Sequence, residues 1–283
     1  PAMAGPAHPY EQLVFSGGGL RCFWQGGFVE ALEADRPLRP ERVTGVSGGA
    51  LAGACWLAGR ERALLRVMTR AFADQDGNTP FHAREGDGLT PHQRIYRQVV
   101  EEVLDAEAQD RVAQGPQFQI LVAHPPTTSG AATAGTLAAM LYEIELHLKS
   151  SPDFSWPRMA GVGSSLIDAR AVARDGRLDE LVIAAATIPP IFECPLWDGD
   201  PVIDGGMISQ IPMPEPDRGR TLVMLTREYR DLPEAETGDR VFVSPSRETP
   251  ADKIDFSDPK KIERTWELGE RDGRAFLGRA RGA

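Results

Sequence analysis

The chain has 283 residues, 41% hydrophobic and 25% charged, with a formal net charge of -10 and a pI near 5.1. Those proportions describe a globular chain able to bury a sizeable core. The acidic balance argues against nucleic-acid binding and against non-specific attraction to anionic membranes.

Cys22, Cys55 and Cys194 are odd in number and form no CxxC, so neither a disulfide framework nor a zinc knuckle is expected. No apolar run reaches the length of a transmembrane helix, and Pro1 to Pro9 lacks the charged and apolar segments of a secretory signal. Residues 1–10 are set apart as a flexible N-terminus or cloning remnant. Residues 11–283 read as a single domain that closes on a helix.

The first element is Gln12-Leu13-Val14-Phe15-Ser16, a short apolar run read as a buried strand entering the loop Gly17-Gly18-Gly19. Phe23, Phe28 and Leu32 then fall near helical spacing, and that helix ends before Pro37. A second strand, Arg42-Val43-Thr44, runs into Gly45-Val46-Ser47-Gly48-Gly49, and a helix of small residues continues to about Leu57. The next helix carries Ala63, Leu64, Val67, Met68 and Phe72 on one face. It also carries Arg60, Arg62, Arg66 and Arg70, where a local basic surface would lie. Residues 74–89 read as a polar surface loop. Thr90-Pro91-His92-Gln93 has the N-cap, N1 and N3 residues of a helix start, with Ile95, Val99, Val103 and Leu104 as the apolar face. Phe118 to Ala123 is a strand, residues 131–149 a helix, and residues 150–158 a loop. Leu178 to Ala186 is a helix stopped by Ile188-Pro189-Pro190. Residues 197–203 form a hairpin with an Asp198-Gly199 turn, leading into Asp204-Gly205-Gly206. Thr221 to Thr226 is a strand, and residues 259–276 form a terminal helix.

Three of these segments carry chemistry. A Ser between glycines, at the change from strand to helix, sits on a sharp turn that exposes its hydroxyl at a helix N-terminus. Consecutive glycines at 17–19 let backbone N–H groups converge on an anion. If the first two strands are parallel neighbours, that loop and Ser47 share one edge of the sheet. Arg21 would add positive charge there, or pair with a nearby carboxylate. A dinucleotide fingerprint fits poorly: Cys22 stands at its third small position, and the second strand ends in Gly45-Val46-Ser47 instead of an acidic residue. Serine needs a base. His8, His82, His92, His124 and His147 all lie in the first part of the chain, so the order Ser, acid, terminal His is absent. Asp204, after an apolar strand and before two glycines, is the better candidate for a base acting directly on Ser47.

Taken together the segments resemble the patatin-like phospholipase family. The likeness lies in Leu13 to Arg21, in Gly45-Val46-Ser47-Gly48-Gly49, in Ala184 to Phe192, and in Asp204-Gly205-Gly206 followed by Pro212. Cys22 and Ser209-Gln210 depart from the residues common in that family. The resemblance implies a three-layer α/β/α fold with a mainly parallel central sheet. It implies a Ser47–Asp204 dyad and an oxyanion hole from Gly17, Gly18, Gly19 and Leu20, with Arg21 as an anion or substrate contact. The expected reaction is hydrolysis of acyl esters in phospholipids through an acyl-serine, with no metal or organic cofactor and with transient contact at a membrane surface. The alternatives are a carboxylesterase or thioesterase on the same fold, or a catalytically silent lipid-binding module. A cytoplasmic enzyme or an effector delivered to another cell is expected.

Overall fold

The computed structural model describes residues 7–73, 91–125, 151–153, 157, 161–187, 195–232, 239–252 and 258–282. The expected loop at 74–89, the helix at 131–149, the stop at Ile188-Pro189-Pro190, and His82, His147 and Cys194 lie outside these residues.

Six strands run side by side in one sheet. In chain order they are β1 (Gln12–Phe15), β2 (Arg42–Val46), β3 (Gln117–His124), β4 (Gly163–Asp168), β8 (Thr221–Met224) and β9 (Arg240–Val243). Their spatial order is β4-β3-β2-β1-β8-β9. All neighbours are parallel except β3 with β4. The sheet is therefore mainly parallel, as the alternation of strands and helices predicts. The hairpin strands β5 (Leu196–Trp197) and β6 (Asp200–Pro201) pair with each other, and Asp198 and Gly199 form their turn with φ of 51° and 94°. β7 (Ile203–Asp204) joins the main sheet against β3.

The helices are α1 (Phe23–Asp35), α2 (Gly48–Ala58), α3 (Glu61–Ala73), α4 (Pro91–Val103), α5 (Ala106–Gln114), α6 (Ala169–Arg174), α7 (Leu178–Ala185) and α8 (Pro259–Gly282). Each central strand sends alternate residues to the helix side: Leu13 and Phe15, Phe118 and Ile120, Leu222 and Met224. These join Trp24, Phe28, Ala54, Met68 and Leu181 in one large core. Burying a side chain of this size is worth about 1.5–3 kcal/mol. α8 crosses α1, where Trp24 Nε1 donates to Asp272 at 2.8 Å and Trp266 Nε1 donates to Glu30 at 3.1 Å.

The opposite face has a small apolar cluster of Val14, Val223, Ile211 and Leu225. Beside it, polar residues of the strands hold the segment 210–218 against the sheet. Thr44 donates to Pro212 O at 2.5 Å. Gln119 Nε2 donates to Glu215 O at 3.1 Å, and its Oε1 accepts from Glu215 N at 2.9 Å. Gln12 Oε1 accepts from Arg218 N at 2.9 Å. Buried polar groups need such partners, so these residues fasten the strap that follows Asp204.

Four elements escape the sequence reading. α5 is capped by Asp105, whose Oδ1 accepts from Ala108 N at 2.8 Å, but its apolar content is small. β4 and β9 are short strands at the two ends of the sheet order, and β4 is mostly exposed polar sequence. α6 spans six residues, too few for a periodic pattern.

Three of the four arginines at 60–70 are held in ion pairs. Arg60 pairs with Asp105 and Glu107, Arg62 with Glu30 and Glu270, and Arg70 with Glu102. No helix among the described residues is long and apolar enough to cross a membrane.

Candidate active site

Ser47 is the single residue between β2 and α2, with φ 53° and ψ -132°. This region disfavours any side chain. The chain accepts it because α2 turns back at once, closing with Ala50 N on Ser47 O at 2.9 Å. The first N–H groups of α2 have no partner within the helix, so Ser47, only 6% exposed, stands at a helix N-terminus.

Phe15 of β1 is level with Gly45 of β2, so both strands end at the same edge. The glycine loop therefore runs beside the Ser47 turn. The approach is close enough that a methyl group on Gly48 would lie 2.6 Å from Gly19 O and 3.0 Å from Cys22 Sγ. Cys22 fills the space beside the loop, its thiol directed at Ser16 O at 3.5 Å. Gly17 is held at both ends of its peptide: its N–H donates to Gln210 O at 3.0 Å, and its carbonyl accepts from Thr226 Oγ1 at 2.7 Å. The short helix Gly19–Cys22 follows. Among the described residues, the N–H groups of Gly18 and Gly19 donate to no protein acceptor. Buried Leu20 continues the loop.

Arg21 takes the structural course left open for it. Its guanidinium pairs with Asp252 at 3.0 Å, so it is committed to a carboxylate before α8.

Asp204 arrives from the other direction. β4 occupies one edge of β3 along residues 119–124, and β2 occupies the other edge along residues 117–121. β7 pairs with Val122 and Ala123, so it must lie on the edge that β2 has just left. Val46 is opposite Leu121 and Asp204 is opposite Val122. Ser47, the residue after Val46, thus leaves β2 level with the rung of β3 that Asp204 occupies. Asp204 is 3% exposed. Its N–H donates to Thr187 O at 2.8 Å, and its Oδ1 accepts from Gly206 N at 2.7 Å.

Gln210 joins the two halves. Its Nε2 donates to Gly206 O at 2.6 Å, its backbone carbonyl accepts from Gly17, and its N–H donates to Pro152 O at 2.8 Å. A residue conspicuous in the sequence as a departure therefore ties the Asp204 turn to the glycine loop.

The histidines contribute less. His8 is tied to Leu32 O at 2.9 Å, and His124 to Ser165 Oγ at 2.8 Å. His92 lies on α4, where burial pushes it below its ordinary pKa. Burial also pushes the Cys55 thiol far up, so it stays protonated. Among the described residues no three His, Cys, Asp or Glu side chains are grouped to hold a metal ion.

A serine on a strained turn, two unspent N–H donors and a buried carboxylate share this edge, and the model of one family matches the same segments. The patatin-like phospholipase model matches residues 13–217, more than half of the chain. This chain belongs to the patatin-like phospholipase family. A search of curated proteins finds no match. Among solved structures, VipD from Legionella pneumophila is similar at 10% sequence identity and a TM-score of 0.44, over 96% of this chain and 67% of that one. Membership supports a lipid acyl hydrolase in general, acting on lipid or other acyl-ester substrates.

Proposed function

We propose that this patatin-like chain is a phospholipase A-type enzyme in which Ser47 is the nucleophile and Asp204 its general base. The observation that supports this best is the register along β3, where β2 stops opposite Leu121 with Ser47 next in the chain and Asp204 pairs the following residue, Val122. In the first half-reaction Asp204 takes the Ser47 proton as Oγ attacks the ester carbonyl. The N–H groups of Gly18 and Gly19, with Leu20 beside them, receive the developing oxyanion. Such donors act strongly because they are already aimed and cost no reorganisation. The C–O bond to the alcohol breaks and the proton passes from Asp204 to the leaving oxygen. In the second half-reaction water gives its proton to Asp204 and attacks the acyl-serine; the proton then returns to Ser47 and the fatty acid departs. Gln210 keeps the base and the oxyanion loop in one frame.

A fluorophosphonate probe tests the assignment, since it phosphonylates an activated serine. Wild type is expected to label at Ser47. Asp204→Asn keeps the bond to Gly206 N but cannot take a proton, and it is expected to label about 10²–10⁴-fold more slowly. His92→Gln and His124→Gln are expected to label like wild type. A folded histidine variant that stops labelling would transfer the role of base to that histidine. Mass spectrometry of products from mixed phospholipids then separates a phospholipase A from an esterase confined to soluble substrates.

A further inference from the structure

Tyr96 has no place in the mechanism above, yet its phenolic oxygen is wholly buried and, among the described residues, without a hydrogen-bond partner. Its ring packs against the main core from α4. α4 packs on α7, and Thr187, two residues past the end of α7, accepts the N–H of Asp204. The ionisable groups acting on the phenol are Asp204 first, then Cys22 and Cys55. Cys22 lies against Gly48, the residue after Ser47, and Cys55 is on α2. The hydroxyl thus lies within electrostatic reach of the Asp204 carboxyl and of the two thiols, one beside the Ser47 turn and one on α2. Burial, reinforced by the Asp204 carboxylate, pushes its pKa up, so it keeps its proton and remains a donor throughout the working pH range.

Buried hydroxyls are nearly always paired. Here a buried donor lies within electrostatic reach of a carboxylate, which accepts hydrogen bonds. One kind of molecule satisfies both at once: a hydroxylic one, which accepts from Tyr96 and donates to Asp204. In the proposed reaction two such species occupy the same position in turn, the departing alcohol and the incoming water.

We propose that the Tyr96 hydroxyl hydrogen-bonds the oxygen that exchanges at the acyl carbon, first the alcohol oxygen as it leaves Ser47's acyl group and then the water that replaces it. The inference rests on the Ser47–Asp204 reading. Tyr96 keeps its own proton throughout. The proton taken from Ser47 travels through Asp204 to the leaving oxygen as the C–O bond breaks, and the proton taken from water travels through Asp204 back to Ser47. Tyr96 supplies a hydrogen bond to the oxygen whose negative charge grows at each step, which makes it a catalytic residue for poor leaving groups above all.

The test compares wild type with Tyr96→Phe on the ethyl and p-nitrophenyl esters of one fatty acid, using kcat/KM so that acylation alone is read. p-Nitrophenolate leaves unaided, whereas an alkoxide needs the hydrogen bond. The ethyl ester is expected to lose about 10–100-fold, the range of a hydrogen bond to a charged group, while the p-nitrophenyl ester loses far less. Slower attack by water should also make the variant show a burst of p-nitrophenol. Its Tm should equal or exceed that of wild type, since the deleted hydroxyl makes no hydrogen bond among the described residues. Equal losses on the two esters, no loss on either, or a fall in Tm would each overturn the assignment. Fluorophosphonate labelling of wild type separates the two levels. Labelling at Ser47 with a flat leaving-group response removes Tyr96 alone, while failure to label Ser47 removes the dyad and Tyr96 together.

Discussion

Ser47 combines a reactive group with a backbone conformation that suits glycine better than serine, and the two can be separated by mutation. At φ 53° and ψ -132° a side chain costs the fold energy that glycine does not, about 1–3 kcal/mol for a residue held in such a region. Ser47→Ala removes the hydroxyl and keeps that strain. Ser47→Gly removes both, but it gives the unfolded chain extra freedom worth about 0.4–1 kcal/mol. The glycine variant should therefore be more stable than the alanine variant by roughly 0.5–2 kcal/mol. For a chain of this size that is a rise in Tm of a few degrees, at about 2–4 °C per kcal/mol. Both variants should lack esterase activity and fluorophosphonate labelling. Calorimetry or urea unfolding of the pair reads the strain, and a p-nitrophenyl ester assay reads the chemistry. An alanine variant at least as stable as the glycine variant would refute the strain argument. Substantial turnover in either would refute the nucleophile.

Gly18→Ala would drive a methyl group onto Thr226 Oγ1 and within 2.8 Å of Thr226 Cβ, displacing a loop that the same hydroxyl holds through Gly17 O. Loss of an oxyanion donor is worth about 10²–10³ in kcat, so kcat should fall far more than stability, and Thr226→Ala in the same chain should recover part of the Tm; an unchanged kcat would move the oxyanion hole elsewhere. Burial raises the Glu61 carboxyl from 4.5 to about 7, with repulsion from Glu33 and Glu30 adding to it. The folded state then binds the Glu61 proton more tightly than the unfolded state, so this site's contribution to stability is present below pH 4.5 and is lost as pH rises to about 7. Glu61→Gln should accordingly gain Tm relative to wild type across that window, and parallel Tm–pH curves would contradict this. With a net charge of -10 and Arg60, Arg62 and Arg70 held in ion pairs, vesicles of anionic phospholipid should retain little of the pure protein in flotation; strong, salt-sensitive retention would reveal an unpaired basic surface.

The local elements were legible because their causes are local. Alternating Leu13 and Phe15, the spacing of Leu64, Val67, Met68 and Phe72, and Pro91 at the first position of α4 each mark an element within a few residues. The Ser47 turn could be read for the same reason: Gly45, Gly48 and Gly49 leave room for a sharp bend, and the small residues after it allow α2 to pack close. Asp204 could be named as a candidate from its two following glycines, but its place on the edge of β3 depends on where β2 stops, 158 positions earlier in the chain. No spacing in the sequence records that. The same holds for the strap after Asp204. Gln12, Thr44 and Gln119 look like the polar face of half-exposed strands, and only the fold turns them into buried clamps for Pro212, Glu215 and Arg218. Arg21 found Asp252, and Tyr96 found no partner among the described residues, for one physical reason: hydrogen bonds and ion pairs form between groups that folding brings together, and their partners are chosen by packing across the whole chain.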